Sequence, residues 1–459
     1  MGLGLHGGGL ESARYLASHG AELTITDLRD EAALSPTIRQ LEAAGVKARY
    51  VLGRHEKDDF KNADMVIKNP GVRPDSPYLQ LAARVETDIS LFLASSPARL
   101  IAVTGSKGKS GTASAIHWVL NQARERGLLP GKACLGGNIT VSPLTFLDSL
   151  TAEDDATLEL SSWQLGDLGG GSGVRSRLLK PRVAVITAIM PDHLDRYGTM
   201  DAYVADKRII YRGQDRGDLT VAADDSWGQS FLAETPGRGL VYAEAPLPDG
   251  MAGGWVDGRD GPGLARLADG RTVELAPAKL LVPGYHQKKN LLAAALSLVD
   301  LGLPADFIRE SLGSFPGIEH RLEFFHENRG IRFYNDTAAT IPEAAAAAVS
   351  AFDSPVALVT GGTDKNLDFG CLAVAAHRAK AVILLAGTGS DKLRLLLDRE
   401  GIPYRGPWDS VEGALQSALS VVSSGDTVVF SPGCASFGMF LNEFDRGRKW
   451  KEAVLGYGS

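Results

Sequence analysis

Short, almost wholly apolar runs punctuate this chain, each closed by a polar or glycine-rich turn and followed by a stretch with helical spacing. Residues 100–103, 156–160, 183–187, 331–334, 356–360, 381–385 and 427–430 have this form. An unbroken apolar run of that length fits a strand covered on both faces, as in a parallel sheet with crossover helices. After 100–103, for example, Ala115, Trp118, Val119 and Ala123 recur at helix spacing over 112–126. Similar units stand earlier, with a helix over 10–20 and strands over 21–26, 49–52 and 65–68. Further helices are predicted over 200–211 and from Asn290 to about Leu301. Between 228 and 283 the chain turns to Gly, Pro and Asp with short alternating runs, as around Asp269-Gly270, which predicts antiparallel hairpins added to a parallel sheet. The fold class is α/β.

Composition narrows the picture. With 459 residues the chain has room for two to four domains. A hydrophobic share of 44% with 22% charged residues is that of a water-soluble globular protein. The net charge of −7 argues against nucleic acid, or a polybasic contact with membrane, as the main partner. No apolar run reaches the length of a membrane span and no signal peptide is visible, so a cytoplasmic protein is expected. Cys134, Cys371 and Cys434 lie far apart and are odd in number, which reads as free thiols in a reducing compartment.

Candidate chemistry begins where strand 100–103 ends. Gly105, Gly108, Lys109 and Ser110 follow it and open a helix, the arrangement of a triphosphate cradle. Backbone N–H groups would close on phosphates, the lysine would reach the outer ones, and the hydroxyl would sit on Mg²⁺. The full motif has a glycine where this chain has Val103, so an ordinary strand-to-helix turn stays open on this stretch alone. Near the start, Gly2, Gly4 and Gly7 open a helix with Asp27 about twenty residues on, which matches a dinucleotide fingerprint. Almost no strand precedes it. Glu159 sits in an apolar run, as a metal ligand or a buried ion-pair partner. His193 follows another strand end, between Asp192 and Asp195, and Lys207 lies on the next helix. Taken singly, these two read equally well as a surface histidine and a solvated lysine.

Their order along the chain is more specific. The run 104–110, Gly136-Gly137-Asn138, Glu159-Leu160-Ser161-Ser162, Asp192-His193-Leu194-Asp195-Arg196-Tyr197, Lys207, His286 to Asn290, Glu319-His320-Arg321, Asn335-Asp336, Lys365 and Ser431 to Ser436 resembles the Mur ligases over nearly the whole chain. The likeness is nearest to the branch that joins D-glutamate to UDP-N-acetylmuramoyl-L-alanine. It implies three domains: a Rossmann-like UDP-sugar domain over 1–96, a central P-loop-type ATP domain over 97–302, and a Rossmann-like domain over 303–459 for ATP and the incoming amino acid. It implies ATP and two Mg²⁺ ions as cofactors and a cytoplasmic monomer of peptidoglycan precursor synthesis.

The resemblance also assigns residues. Gly4, Leu5, His6, Asp27, Arg29, Asn69 and Gly71 match the UDP positions, and Asn138, Ser161 and Gln164 the sugar-peptide positions. Gly105, Ser106, Lys107, Gly108, Lys109, Ser110, Gln287, Asn290, Arg321 and Asp336 match the ATP set, Gln287 standing where Asn is common. Lys109, Glu159, His193 and Lys207 match the catalytic positions. Ser110 and Glu159 would bind one Mg²⁺, with His193 and a carbamylated Lys207 serving the second. Thr340, Lys365 and Ser436 match the positions that hold glutamate. The implied reaction forms an acyl phosphate, which the amine of glutamate attacks while the third domain closes to exclude water.

Two positions depart from the pattern. Ala338 stands where the family has lysine, and Glu443 where an aromatic is frequent, with Phe444 next to it. L-glutamate therefore stays open as the acceptor. A nicotinamide-dependent oxidoreductase built on the first glycine loop is a remote alternative that leaves Lys109, Glu159, His193 and Lys207 without a role. A non-catalytic nucleotide-binding regulator is another.

Overall fold

The computed structural model describes residues 1–5, 7–139, 141–170, 173 and 179–457. The chain forms two compact units, Met1–Lys279 with Lys288–Gly313, and Leu280–Gln287 with Ser314–Ser459.

The first unit opens with two small parallel pairs. Leu23–Asp27 pairs with Ala48–Leu52, and Val66–Ile67 with Val85–Glu86. The first residues lie between them. The Met1 ammonium donates to the Ile67 carbonyl at 2.8 Å, Gly2 N–H to Thr26 O at 2.8 Å, and Asn69 N–H to Met1 O at 3.0 Å. The glycine loop thus starts from residues held by both pairs, but Gly2 has φ +79° and no strand forms there, unlike the fingerprint's usual setting. A cavity of about 730 Å³ beside it is lined by Met1, Leu3, Ile25 and Val66 among others. Burial pushes the Met1 ammonium down to about 6. Gly9 is obligatory here, because a Cβ would stand 2.2 Å from the Leu3 carbonyl oxygen.

The rest of this unit is built on nine strands. Their order is Thr272–Ala276, Gly263–Arg266, Gly253–Val256, Arg238–Ala243, Leu219–Ala223, Val183–Ile186, Arg99–Thr104, Asp155–Glu159 and Ala133–Gly137. The hairpins expected over 228–283 are only partly antiparallel. Arg238–Ala243 and Gly253–Val256 continue the parallel sheet, and only Gly263–Arg266 and Thr272–Ala276 reverse. Side chains at Ile101, Ala102, Val103, Ala156, Leu158, Val183 and Val185 are wholly buried, as two-sided coverage demands. The phosphate-loop helix is Lys109–Glu125, three residues longer at its start than its apolar spacing suggested. The helix expected over 200–211 is α-helical over Met200–Lys207 and then tightens to a 3₁₀ turn over Arg208–Ile210. Helix Ala305–Gly313 packs here through buried Phe307, Ile308 and Leu312, and Trp118 Nε1 donates to Ser311 O at 2.9 Å. The division between units therefore falls after Gly313, later than Gly302.

The second unit carries a six-stranded sheet in the order Glu323–Asn328, Ile331–Asn335, Thr427–Phe430, Val356–Thr360, Ala381–Leu385 and Tyr404–Trp408. All pairs are parallel except the first, so the four apolar strands read from the sequence form the centre, with one unread strand at each edge. Ala357, Leu358, Val359, Ile383, Val428, Val429 and Phe430 are wholly buried, and Trp450 of helix Glu443–Tyr457 stacks on Phe430.

Candidate functional site

Parallel strands end together, so the loops that follow them share one rim of the sheet. In the first unit Val103 is opposite Glu159, Gly137 is opposite Glu159, and Thr104 is opposite Ile186. The phosphate loop, Glu159, Asn138 and the segment after Ile186 are thereby brought side by side. Ligands of open α/β sheets sit at this edge.

The loop is shaped by close backbone approach. Thr187 Oγ1 donates to Lys107 O at 2.7 Å and to Thr104 O at 3.0 Å, and Ser106 N–H donates to Ala188 O at 2.8 Å. A Cβ on Gly105 (φ +141°) would lie 2.0 Å from Thr187 Oγ1, and one on Gly108 (φ +94°) 2.4 Å from Asn290 Oδ1. Both glycines are required by space as well as by backbone angle. Gly105→Ala is expected to lower the melting temperature and to weaken nucleoside triphosphate binding by at least about tenfold, since strain of this kind costs 1–3 kcal/mol. Calorimetric titration with ATP checks it, and an unchanged affinity would refute the assignment of this loop.

Two amines converge on one carbonyl. Lys109 Nζ donates to Gly105 O at 3.1 Å and Ser106 O at 2.9 Å, while Lys207 Nζ donates to Gly105 O at 2.7 Å. Lys207 is buried, with its amine 4.5 Å from the centre of the Tyr203 ring. Desolvation, and then the charge of Lys109, push its amine down to about 7. The solvated-lysine reading is thus overturned. Tyr203, whose hydroxyl pairs with Ser106 Oγ at 2.9 Å, belongs to the same cluster. Its position one helical turn before Lys207 was a signal open to sequence reading. His193 is exposed, at φ +53°, with its ring 5.1 Å from that of Trp163 and 6.4 Å from that of Tyr203. Ser110 is the second residue of the phosphate-loop helix.

Glu159 is 2% exposed. Its Oε1 accepts from Asn138 Nδ2 at 3.2 Å, while its buried Oε2 has no hydrogen-bond partner among the described residues. A buried carboxylate oxygen left without a donor is costly unless a cation meets it. Among the described residues no three His, Cys, Asp or Glu side chains gather into a metal site. That sparse donor set fits Mg²⁺, which binds through one or two carboxylates and takes its other ligands from water and phosphate. Ser161 caps helix Ser162–Leu168 in a capping box with Gln164, whose Oε1 accepts from Ser161 N–H at 3.0 Å.

At the expected UDP loop, the Asp27 carboxylate accepts from the N–H groups of Gly4 (3.1 Å) and Arg29 (2.9 Å), and Asn69 Oδ1 accepts from Gly71 N–H at 3.0 Å. Gly4, Asp27, Asn69 and Gly71 are gathered; Leu5 and Arg29 are exposed, and His6 lies outside the described residues.

The second unit builds a comparable rim. Gly361 N–H donates to Pro432 O, Gly433 N–H to Ala339 O, and Thr363 and Ala435 exchange both backbone bonds. These contacts lace the loops that carry Thr340, Lys365 and Ser436. Asp336 accepts from Ser431 Oγ at 2.6 Å and Leu322 N–H at 3.0 Å, and burial pushes its carboxyl up to about 7. Arg321 stands between two residues of positive φ, His320 (69°) and Leu322 (43°), an arrangement concentrated at functional sites. Beneath the loops the buried Arg446 guanidinium donates to Cys434 O (3.0 Å) and to Thr337 O and Oγ1 (both 2.9 Å). Gln287 also lies in this unit, and Asn290 in the first.

Three family models match: "Mur ligase MurD-like, N-terminal domain" over residues 1–90, "Mur ligase middle domain" over 103–298, and "Mur ligase, glutamate ligase domain" over 320–434. A protein of Treponema pallidum named UDP-N-acetylmuramoylalanine--D-glutamate ligase is 41% identical, the alignment covering 99% of this chain and 96% of that one. One of the same name from a Roseiflexus species is 40% identical, covering 99% and 97%. Among solved structures, UDP-N-acetylmuramate-alanine ligase MurC of Thermotoga maritima superposes with a TM-score of 0.58 at 19% identity, covering 99% of this chain and 98% of that one.

Proposed function

The chain belongs to the Mur ligase family, and from that premise we infer that it joins D-glutamate to UDP-N-acetylmuramoyl-L-alanine with cleavage of ATP, in peptidoglycan precursor synthesis. Full-length relatives at 37–41% identity that carry this activity in their names support the substrate pair. The observation within the site that carries the reading is the phosphate loop set beside a partnerless buried carboxylate oxygen and a buried amine. In the proposed division of labour, residues 1–96 hold UDP, 97–313 bind ATP, and 314–459 contribute to ATP and hold the glutamate. A monomer is part of this reading. Among the described residues, no helix is long and apolar enough to cross a membrane.

Each residue then has a task. The amine of Lys109 exchanges loop carbonyls for the outer phosphate oxygens and offsets the charge that accumulates as the alanine carboxylate attacks the γ-phosphorus. Ser110 and Glu159 are the residues that would hold one Mg²⁺, and His193 with Lys207 the second. When bound, the metal supplies charge neutralisation along the phosphates. For Lys207 to serve, its amine adds to CO₂ and releases a proton, giving a carbamate anion with oxygen donors. An amine near neutrality at cytoplasmic pH suits that addition. Ser161 and Gln164 face the sugar-peptide, and Thr340, Lys365 and Ser436 the glutamate carboxylates. Ala338 offers the acceptor no charge, and the fixed cation of Arg446 lies close beneath the same loops.

Phosphate release with UDP-N-acetylmuramoyl-L-alanine, ATP and Mg²⁺ tests the reading. Release is expected with D-glutamate and at least about tenfold less with L-glutamate, the size of one lost polar contact. An enzyme that releases no phosphate with any amino acid is not this ligase.

A further inference from the structure

One buried ion pair has no role in the chemistry above. Lys68 Nζ donates to Asp167 Oδ2 at 2.7 Å, and both side chains are essentially inaccessible, at 0% and 2% exposure. The partners are 99 residues apart in sequence. Burial pushes the Lys68 amine down, with Asp167 opposing. A surface ion pair would contribute little, whereas loss of one partner of a buried pair is generally strongly destabilising.

Its position in the fold is the informative part. Lys68 directly follows strand Val66–Ile67, and its N–H is held by Glu86 O at 2.8 Å. The next residue is Asn69, whose side chain shapes the loop through Gly71. Asp167 lies on helix Ser162–Leu168, whose first turn is the Ser161–Gln164 capping box, two residues beyond Glu159. That helix also packs closely on the helix that bears Lys207 and on the turn after it. A Cβ on Gly166 would fall 2.3 Å from Asp206 Oδ2, and one on Gly169 2.5 Å from Ile209 Cδ1. A continuous rigid path therefore runs from the Asn69 loop through Lys68 and Asp167 to the residues around Glu159 and Lys207.

We propose that Lys68 and Asp167 are a positioning pair: a buried strut that fixes the distance between the subsite for the nucleotide half of the UDP-sugar-peptide and the subsite for its reacting carboxylate. The proposal rests on the functional reading above. A single extended substrate must be held at both ends, and the reacting carboxylate tolerates little displacement, so a fixed spacing between the two subsites converts nucleotide binding into alignment of the acyl end.

Removal of both charges keeps the test interpretable, because an apolar pair of similar volume generally supports folding as well as a buried ion pair does. Lys68→Met with Asp167→Leu is compared with Lys68→Met alone and with the wild-type chain, each verified by melting temperature. Calorimetry gives the affinity for UDP alone and for UDP-N-acetylmuramoyl-L-alanine, and phosphate release gives kcat. The expected result for the folded double variant is unchanged UDP affinity, about tenfold weaker binding of the full substrate, and kcat lowered about tenfold or more. Equal weakening of both ligands, or wild-type values for both together with wild-type kcat, would overturn the proposal. A wild-type chain that bound neither ligand would instead overturn the functional reading.

Discussion

Replacement of Lys207 by methionine is expected to lower kcat by roughly 10³-fold or more, because on the proposed reading it removes a metal ligand worth several kcal/mol of charge stabilisation in the transition state. The same substitution should leave the melting temperature at or above the wild-type value at pH 7. The amine is buried against Gly105 O and the Tyr203 ring with no carboxylate in hydrogen-bond contact, so its desolvation is only partly offset. The pH dependence has a definite sign. The amine titrates near 7 when folded and at 10.5 when exposed, so between those values the unfolded chain binds more protons. In CO₂-free protein, stability contributed by this group therefore rises with pH from about 7 towards 10.5, and the Lys207→Met variant lacks that slope. Carbamate formation draws on the neutral amine and on CO₂, so protein stripped of CO₂ and then supplied with equal dissolved CO₂ at each pH should regain activity faster at pH 8 than at pH 6. A fully active Lys207→Met variant would return this lysine to a structural role.

Glu159→Gln should be nearly as damaging, at about 10²-fold or more in kcat, with little change in fold. The amide keeps the volume of the carboxylate and an oxygen for Asn138 Nδ2, so the packing at the strand end survives. What is lost is the negative charge at the partnerless Oε2 position. The diagnostic measurement is activity against Mg²⁺ concentration: the half-saturating concentration should move up by at least about tenfold, in line with the loss of one charged ligand. An unchanged Mg²⁺ dependence would mean that Glu159 supports the sheet rim instead of a cation.

How far the sequence disclosed these features depends on the range over which each is determined. The four central strands of the second unit were legible because burial on both faces writes an unbroken apolar run. The edge strands Glu323–Asn328 and Tyr404–Trp408 were not, since each is covered less and carries polar, Gly or Pro positions, and the former contains an irregularity between Phe324 and His326. The same contrast runs through the site. Glu159 announced itself as an acid inside an apolar strand. Lys207 looked like any helical lysine, because its burial comes from the phosphate loop about a hundred residues away. Thr187, Lys68 and Asp167 gave no local signal, as their partners are set only by how the strands are ordered in the sheet.

The loops around Thr340, Lys365 and Ser436 are joined to one another by main-chain bonds at Gly361, Thr363, Gly433 and Ala435. Main-chain bonds are indifferent to the identity of the residue that makes them, so the frame of this pocket is inherited separately from its lining. Ala338 illustrates the consequence: a lysine position can fall vacant while its own N–H still donates to His320 O at 3.0 Å. On the proposed reading, side chains that line this acceptor pocket can therefore be exchanged singly while the main-chain frame that carries them persists.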